Sequence, residues 1–111
     1  MKPHATVRQG GKNIFEDLQL PNAEELNAKA QIAYRICGIL EERKLTQQAA
    51  AELLGTDQPR VSALLRGRLE GFSSDRLFRF LNALDQDIEI VIRRAKKKSS
   101  RAPGIRVLAV A

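Results

Sequence analysis

The 111-residue chain has no tryptophan and only one cysteine, one histidine, one tyrosine and one methionine. A single thiol cannot close an intramolecular disulfide, which suits a reducing compartment. With His4 the only histidine, Ser62 has no base to activate it, and no histidine-containing ligand spacing for a metal exists. No glycine-rich phosphate loop is present. No apolar run reaches the roughly 18 residues of a membrane span, and the opening "MKPHATVRQGGKN" lacks the apolar segment of a secretory signal. These absences read as a cytoplasmic protein that is not an enzyme, with no cofactor, metal or membrane partner expected.

Acids are missing from one stretch. Residues 93–111 carry seven of the 19 basic residues and no Asp or Glu, leaving 12 bases against 13 acids over residues 1–92. The net charge of +6 therefore comes from the C-terminal end, and the body is close to neutral. A basic tail of this kind adds non-specific affinity for a polyanion through counterion release, but it does not make the body a nucleic-acid binder.

What is present is apolar spacing at helical period. Residues 1–12 are polar and read as a disordered N-terminal arm, residues 13–94 as one domain, and residues 95–111 as a basic flexible tail. "NIFEDL" at 13–18 predicts a helical turn capped by Asn13. "PNAEEL" predicts a longer helix, with Asn22 as cap and Glu25 as capping-box partner. Its inward face is expected to be Leu26, Ala30, Ala33, Ile36, Cys37 and Leu40, to about residue 43. Cys37 then serves core packing.

"LTQQAAAELLG" predicts a short helix capped by Thr46, burying Ala50, Leu53 and Leu54 and stopped by Gly55. "DQPRVSALLRG" predicts another, capped by Asp57, with Pro59 tolerated in the first turn, Val61, Leu64 and Leu65 inward, and Gly67 at its end. "SSDRLFRFLNAL" supplies a fourth, burying Leu77, Phe80, Leu81 and Leu84. The period then changes: Ile88, Ile90 and Ile92 alternate with Glu89, Val91 and Arg93, as in a half-buried strand. Such a strand needs a partner. The simplest is the same strand of a second copy, which makes Ile88, Ile90 and Ile92 dimerisation residues of a homodimer. The second candidate is "IRVLAVA" at 105–111.

Two short helices about a glycine-containing turn form a helix-turn-helix, whose second helix can enter the DNA major groove. A plain helical hairpin would carry an arbitrary outward face. Here that face holds Gln58, Arg60, Ser62, Ala63 and Arg66, with no acid between Asp57 and Glu70. Gln suits adenine, Arg suits guanine, and small residues suit thymine methyls. Glu70 and Asp75 are expected to lie beyond the reading helix.

"LTQQAAAELLGTDQPRVSALLRG" resembles the helix-turn-helix of the phage-repressor-like (XRE) regulators. Leu45, Thr46, Gln47, Ala51, Leu54, Gly55, Val61, Ser62 and Gly67 fall on that pattern without a gap. Ala50 stands where Leu is usual, Leu65 where Glu is frequent, and Asp85 where Gly often ends the fourth helix. The flanks, "NIFEDLQLPNAEEL" and "LNALDQDIEIVIR", resemble HigA-type antitoxins that bind a RelE-like toxin.

The resemblance implies a mainly α, lambda-repressor-like helical bundle with a C-terminal β-strand pairing across a dimer. It implies that Gln58, Arg60 and Ser62 approach base edges, with Ala63 beside them, and that Pro59 gives an apolar contact. Thr46, Gln47, Arg66 and Arg68 meet phosphates. The expected partners are double-stranded DNA carrying a palindromic operator, a second copy of the chain and a RelE-like toxin. The acids Glu16, Asp17, Glu24 and Glu25 could face a basic toxin. The alternatives are a solitary regulator and a toxin-neutralising interaction protein with little DNA binding. RNA binding ranks lower, because no exposed aromatic pair suits base stacking.

Overall fold

The computed structural model describes residues 4–6, 22–95 and 104–110. The helical turn expected at 13–18 and the basic run at 96–98 lie outside these residues. Four helices and two short strands follow in the order β1 (His4–Thr6), α1 (Asn22–Glu42), α2 (Gln47–Leu54), α3 (Gln58–Leu65), α4 (Ser74–Ala83) and β2 (Val91–Arg93). This is the mainly helical bundle that the apolar spacing predicts. Although α1 is 21 residues long, no described helix is both long and apolar enough to cross a membrane.

Local chemistry sets the helix ends. Thr46, Asp57 and Ser73 each accept a backbone N–H three residues on, at 3.1, 2.9 and 3.0 Å, and so cap α2, α3 and α4. All four described helices stop with a left-handed residue: Lys44, Gly55, Gly67 and Asp85. In each case the next N–H reaches back to a carbonyl five residues earlier. These bonds run from Leu45 to Leu40, Thr56 to Ala51, Arg68 to Ala63 and Gln86 to Leu81. This Schellman closure satisfies end carbonyls and reverses the chain within a few residues. Gly55 and Gly67 adopt it without steric cost. Asp85 tolerates it, and its carboxylate lies 3.6 Å from Arg43. Arg43 also donates to the Leu84 carbonyl at 2.8 Å, tying the end of α1 to the end of α4.

The core lies where α1 crosses the other helices. Ile36, Leu64, Leu77, Leu84 and Val61 are its largest fully buried apolar side chains, and Phe72 meets Phe80 edge-on at 6.0 Å. Ala50 and Ala51 are both buried, so α2 packs close through small residues. Ser74 is buried at the start of α4 and donates to the Glu25 carboxylate at 3.5 Å, joining the first turns of α1 and α4.

Several expected core positions differ. At the start of α1 the inward stripe is Ala28 and Ile32, while Leu26 and Ala30 face solvent; further along, Ile39 joins Ile36 and Leu40. Both stripes are apolar at helical spacing. The choice falls to what packs there: Phe78, Ile90, Ile105 and Val107 gather on Ala28. Leu53 and Leu65 are exposed. An eight-residue helix has only two turns and one narrow inward stripe. Ala50, Ala51 and Leu54 fill it in α2, and Val61 and Leu64 fill it in α3. Cys37 is half-buried, and its thiol donates to the Leu64 carbonyl at 3.7 Å.

Within the chain, β2 also has a partner that neither expectation named. Val91–Arg93 pairs antiparallel with His4–Thr6 of its own chain, with Ala5 opposite Ile92. Ile88 and Ile90 precede β2 outside any strand and are half-buried against the chain's own clusters. Residues 104–110 do not pair with β2 in that two-stranded sheet. They lie along α1 instead. The N–H of Ile105 donates to Glu24 at 3.0 Å, and that of Val107 donates to Gln31 at 3.1 Å.

Candidate nucleic-acid interface

Val61 and Leu64 anchor α3 in the core, which fixes the rotation of the helix about its axis. The remaining side chains must then point outward. Gln58, Pro59, Arg60 and Arg66 are exposed, and Ser62 and Ala63 are half-buried at the margin. Within α3 itself there is no acid, so the exposed face offers hydrogen-bond donors and positive charge. Proline in the first turn leaves no unsatisfied N–H, and its ring is available for apolar contact.

Thr46 and Gln47 are exposed at the start of α2, where the turn around Gly55 places that helix against α3. The Thr46 hydroxyl accepts the Ala49 N–H with one lone pair, and its O–H remains free to donate to an outside oxygen. After α3 the Gly67 reversal turns the chain back, and the Arg68 N–H bonds to the Ala63 carbonyl at 2.9 Å. That brings Arg68 to a shallow groove shared with Asp57, Pro59, Arg60, Ala63, Glu70, Gly71 and Phe72.

Two features of this groove were not anticipated. Glu70, expected beyond the reading helix, lines the groove beside Arg60 and Arg68. The cause is the left-handed Gly67, which reverses a chain that would otherwise run on past α3. The second is an ion pair within the helix start. Arg60 Nε lies 3.8 Å from Asp57 Oδ2, while Asp57 Oδ1 accepts the Arg60 N–H at 2.9 Å. An Asp followed three residues later by Arg is the helical spacing for such a contact, and it could have been read from the sequence.

Not every expected site residue falls in one place. Thr46, Gln47, Gln58, Pro59, Arg60, Ser62, Ala63, Arg66 and Arg68 belong to the helix-turn-helix and the chain immediately after it. Ile88, Ile90 and Ile92 belong to the segment that carries β2, and of these only Ile92 lies within the strand and is largely exposed. Among the described residues, burial pushes the Cys37 thiol up, so it stays protonated.

A helix-turn-helix domain family matches residues 14–93, most of the chain. A solved structure assigned as an XRE-family transcriptional regulator is 50% identical, with a TM-score of 0.74. The match covers 81% of this chain and all of that one. No curated protein matches.

Proposed function

Because the chain belongs to the XRE family of helix-turn-helix proteins, we propose that it is a sequence-specific DNA-binding repressor that reads the major groove with α3. The observation that carries this reading is the outward face of α3. Gln58, Arg60, Ser62 and Ala63 are presented on a helix held by Val61 and Leu64, with Arg66 and Arg68 at its far end. Gln58 and Arg60 have the donor and acceptor patterns for adenine and guanine edges. Arg66, Arg68, Thr46 and Gln47 bracket them as phosphate contacts, which position the helix without selecting sequence.

One such helix covers a half-site, so a dimer on a palindromic operator completes the reading, with half-sites about 34 Å apart. A β2–β2 contact between two copies would use the edge of Val91–Arg93 opposite β1, where Val91 and Ile92 are exposed. Ile88 and Ile90 would support such a dimer from behind, since they pack on their own chain. The finer role, antitoxin of a type II pair that silences a RelE-like toxin and represses the shared promoter, is supported by the likeness of the flanking sequences. The basic run at 96–98 would add non-specific DNA affinity through counterion release, while residues 104–110 pack along α1.

The test is selection of fragmented genomic DNA by purified protein, beside a Gln58→Ala/Arg60→Ala variant. A single palindrome upstream of the protein's own gene, lost in the variant, is the expected result. Equal, indiscriminate recovery by both proteins would refute base reading by α3. Co-purification with the product of the adjacent gene tests the antitoxin role separately.

A further inference from the structure

We propose that Asp57 is a positioning residue for base recognition: its single carboxylate caps α3 and also aims the Arg60 guanidinium. This rests on the reading of α3 given above. Oδ1 accepts the Arg60 N–H at 2.9 Å, which is an ordinary N-cap. The other oxygen, Oδ2, lies 3.8 Å from Nε of the same residue. A cap uses only one oxygen, which leaves the second to act on the guanidinium that the helical spacing brings beside it.

Stability is not what that oxygen adds. The two side chains are 44% and 62% exposed, and an ion pair so wet contributes little. Its effect is on geometry. A guanidinium carries five N–H donors in a fixed plane. At 3.8 Å the carboxylate is an ion-pair partner on the Nε side, not a hydrogen-bond acceptor, and it leaves the Nη end, which has the fork that matches guanine O6 and N7. The side chain of Arg60 has several rotatable bonds, and each ordered one costs entropy on binding. A carboxylate fixed to the helix start by its cap bond removes part of that freedom before DNA arrives. As DNA covers the groove, solvent leaves and the pair strengthens.

The opposite role is also physically open. A carboxylate beside a phosphate backbone repels it, and a carboxylate on Arg60 competes with the base. Both would raise overall affinity on removal of the charge. The discriminating quantity is therefore the preference at one base position and not the affinity.

The experiment is selection from a randomised duplex library, followed by binding to single-base variants of the recovered site. It uses the full chain as wild type, Asp57→Asn, Asp57→Ser, Arg60→Ala and Asp57→Asn/Arg60→Ala. Asn and Ser both keep a good cap, so thermal melts of these variants should match the wild type. The proposal expects a guanine position lost in Arg60→Ala, with discrimination there reduced about three- to tenfold in both Asp57 variants, part of what a bidentate contact provides. Adding Asp57→Asn to Arg60→Ala should change nothing further at that position. Undiminished discrimination in both Asp57 variants would reduce Asp57 to a cap and overturn the proposal. Sharper discrimination would make it a competitor and overturn it too. Absence of any motif from the wild type would sink the DNA reading itself, whereas a motif that survives in Arg60→Ala would remove only Arg60, and Asp57 with it.

Discussion

Comparing Arg43→Met with Asp85→Asn separates the two interactions that close the corner between α1 and α4. The guanidinium donates to the Leu84 carbonyl at 2.8 Å and lies 3.6 Å from the Asp85 carboxylate. The carboxylate is 87% exposed, which puts this ion pair in the range of about 0–1 kcal/mol. A hydrogen bond from a charged donor is worth about 1.5–3 kcal/mol in general. Here the lower end applies, because Gln86 Nε2 also donates to Leu84 O at 3.0 Å, so the carbonyl keeps a partner when Arg43 is gone. Met retains most of the aliphatic stem, leaving its packing contribution largely in place. Arg43→Met should therefore cost about 1–2 kcal/mol, and Asp85→Asn less than about 0.5 kcal/mol. Urea unfolding followed by circular dichroism measures both, with an unchanged slope expected. If Asp85→Asn costs as much as Arg43→Met, the ion pair holds the corner and the reasoning fails. A neutral Arg43→Met would show that the short bond adds nothing.

Other outcomes follow from the same structure. Lys44 is left-handed at the end of α1, so Lys44→Gly should stabilise by about 0.5 kcal/mol, the difference between relieved strain and added chain entropy; a lower urea midpoint would contradict this. Burial raises the Cys37 thiol, so its contribution is complete at neutral pH. It should fade above the ordinary thiol range of about 8.5, as the unfolded thiol ionises first. Comparing wild type with Cys37→Ala at neutral and alkaline pH checks this, since the difference should shrink as pH rises. Arg66→Ala should weaken binding to all duplexes alike and lower the salt slope by about one. Arg60→Ala should instead cost about 1–3 kcal/mol on the preferred site and relax one position. Glu70 lines the same groove, so Glu70→Gln should raise non-specific affinity at low salt, and an unchanged value would place it away from the phosphates.

Three of the helix starts and two of the stops could be read directly. Thr46, Asp57 and Ser73 cap the following N–H groups, and Gly55 and Gly67 are left-handed, because these residue types act within a few positions of themselves. Most inward residues of α3 and α4 were legible for a similar reason: Val61, Leu64, Leu77, Phe80, Leu81 and Leu84 share one helical face, although Leu65, also expected inward, is exposed. Lys44 is no usual left-handed residue. The contact through Arg43 that stabilises the Asp85 end joins positions about forty residues apart, and no local pattern carries such a contact.

The sequence by itself therefore determined the helix-turn-helix and the identity of its exposed face, since capping, helical period and burial of Val61 and Leu64 are local or nearly so. Tertiary structure alone decided which stripe of α1 is buried, where residues 104–110 lie and what pairs with Val91–Arg93. In those cases two apolar stripes or two possible strand partners were available, and burial is non-directional. Packing and backbone pairing decided the outcome: Glu24 and Gln31 accept from residues 104–110, and a short ladder joins β2 to His4–Thr6, which was neither of the expected partners. The same is true of the Glu70 side chain in the groove, which Gly67 delivers by reversing the chain.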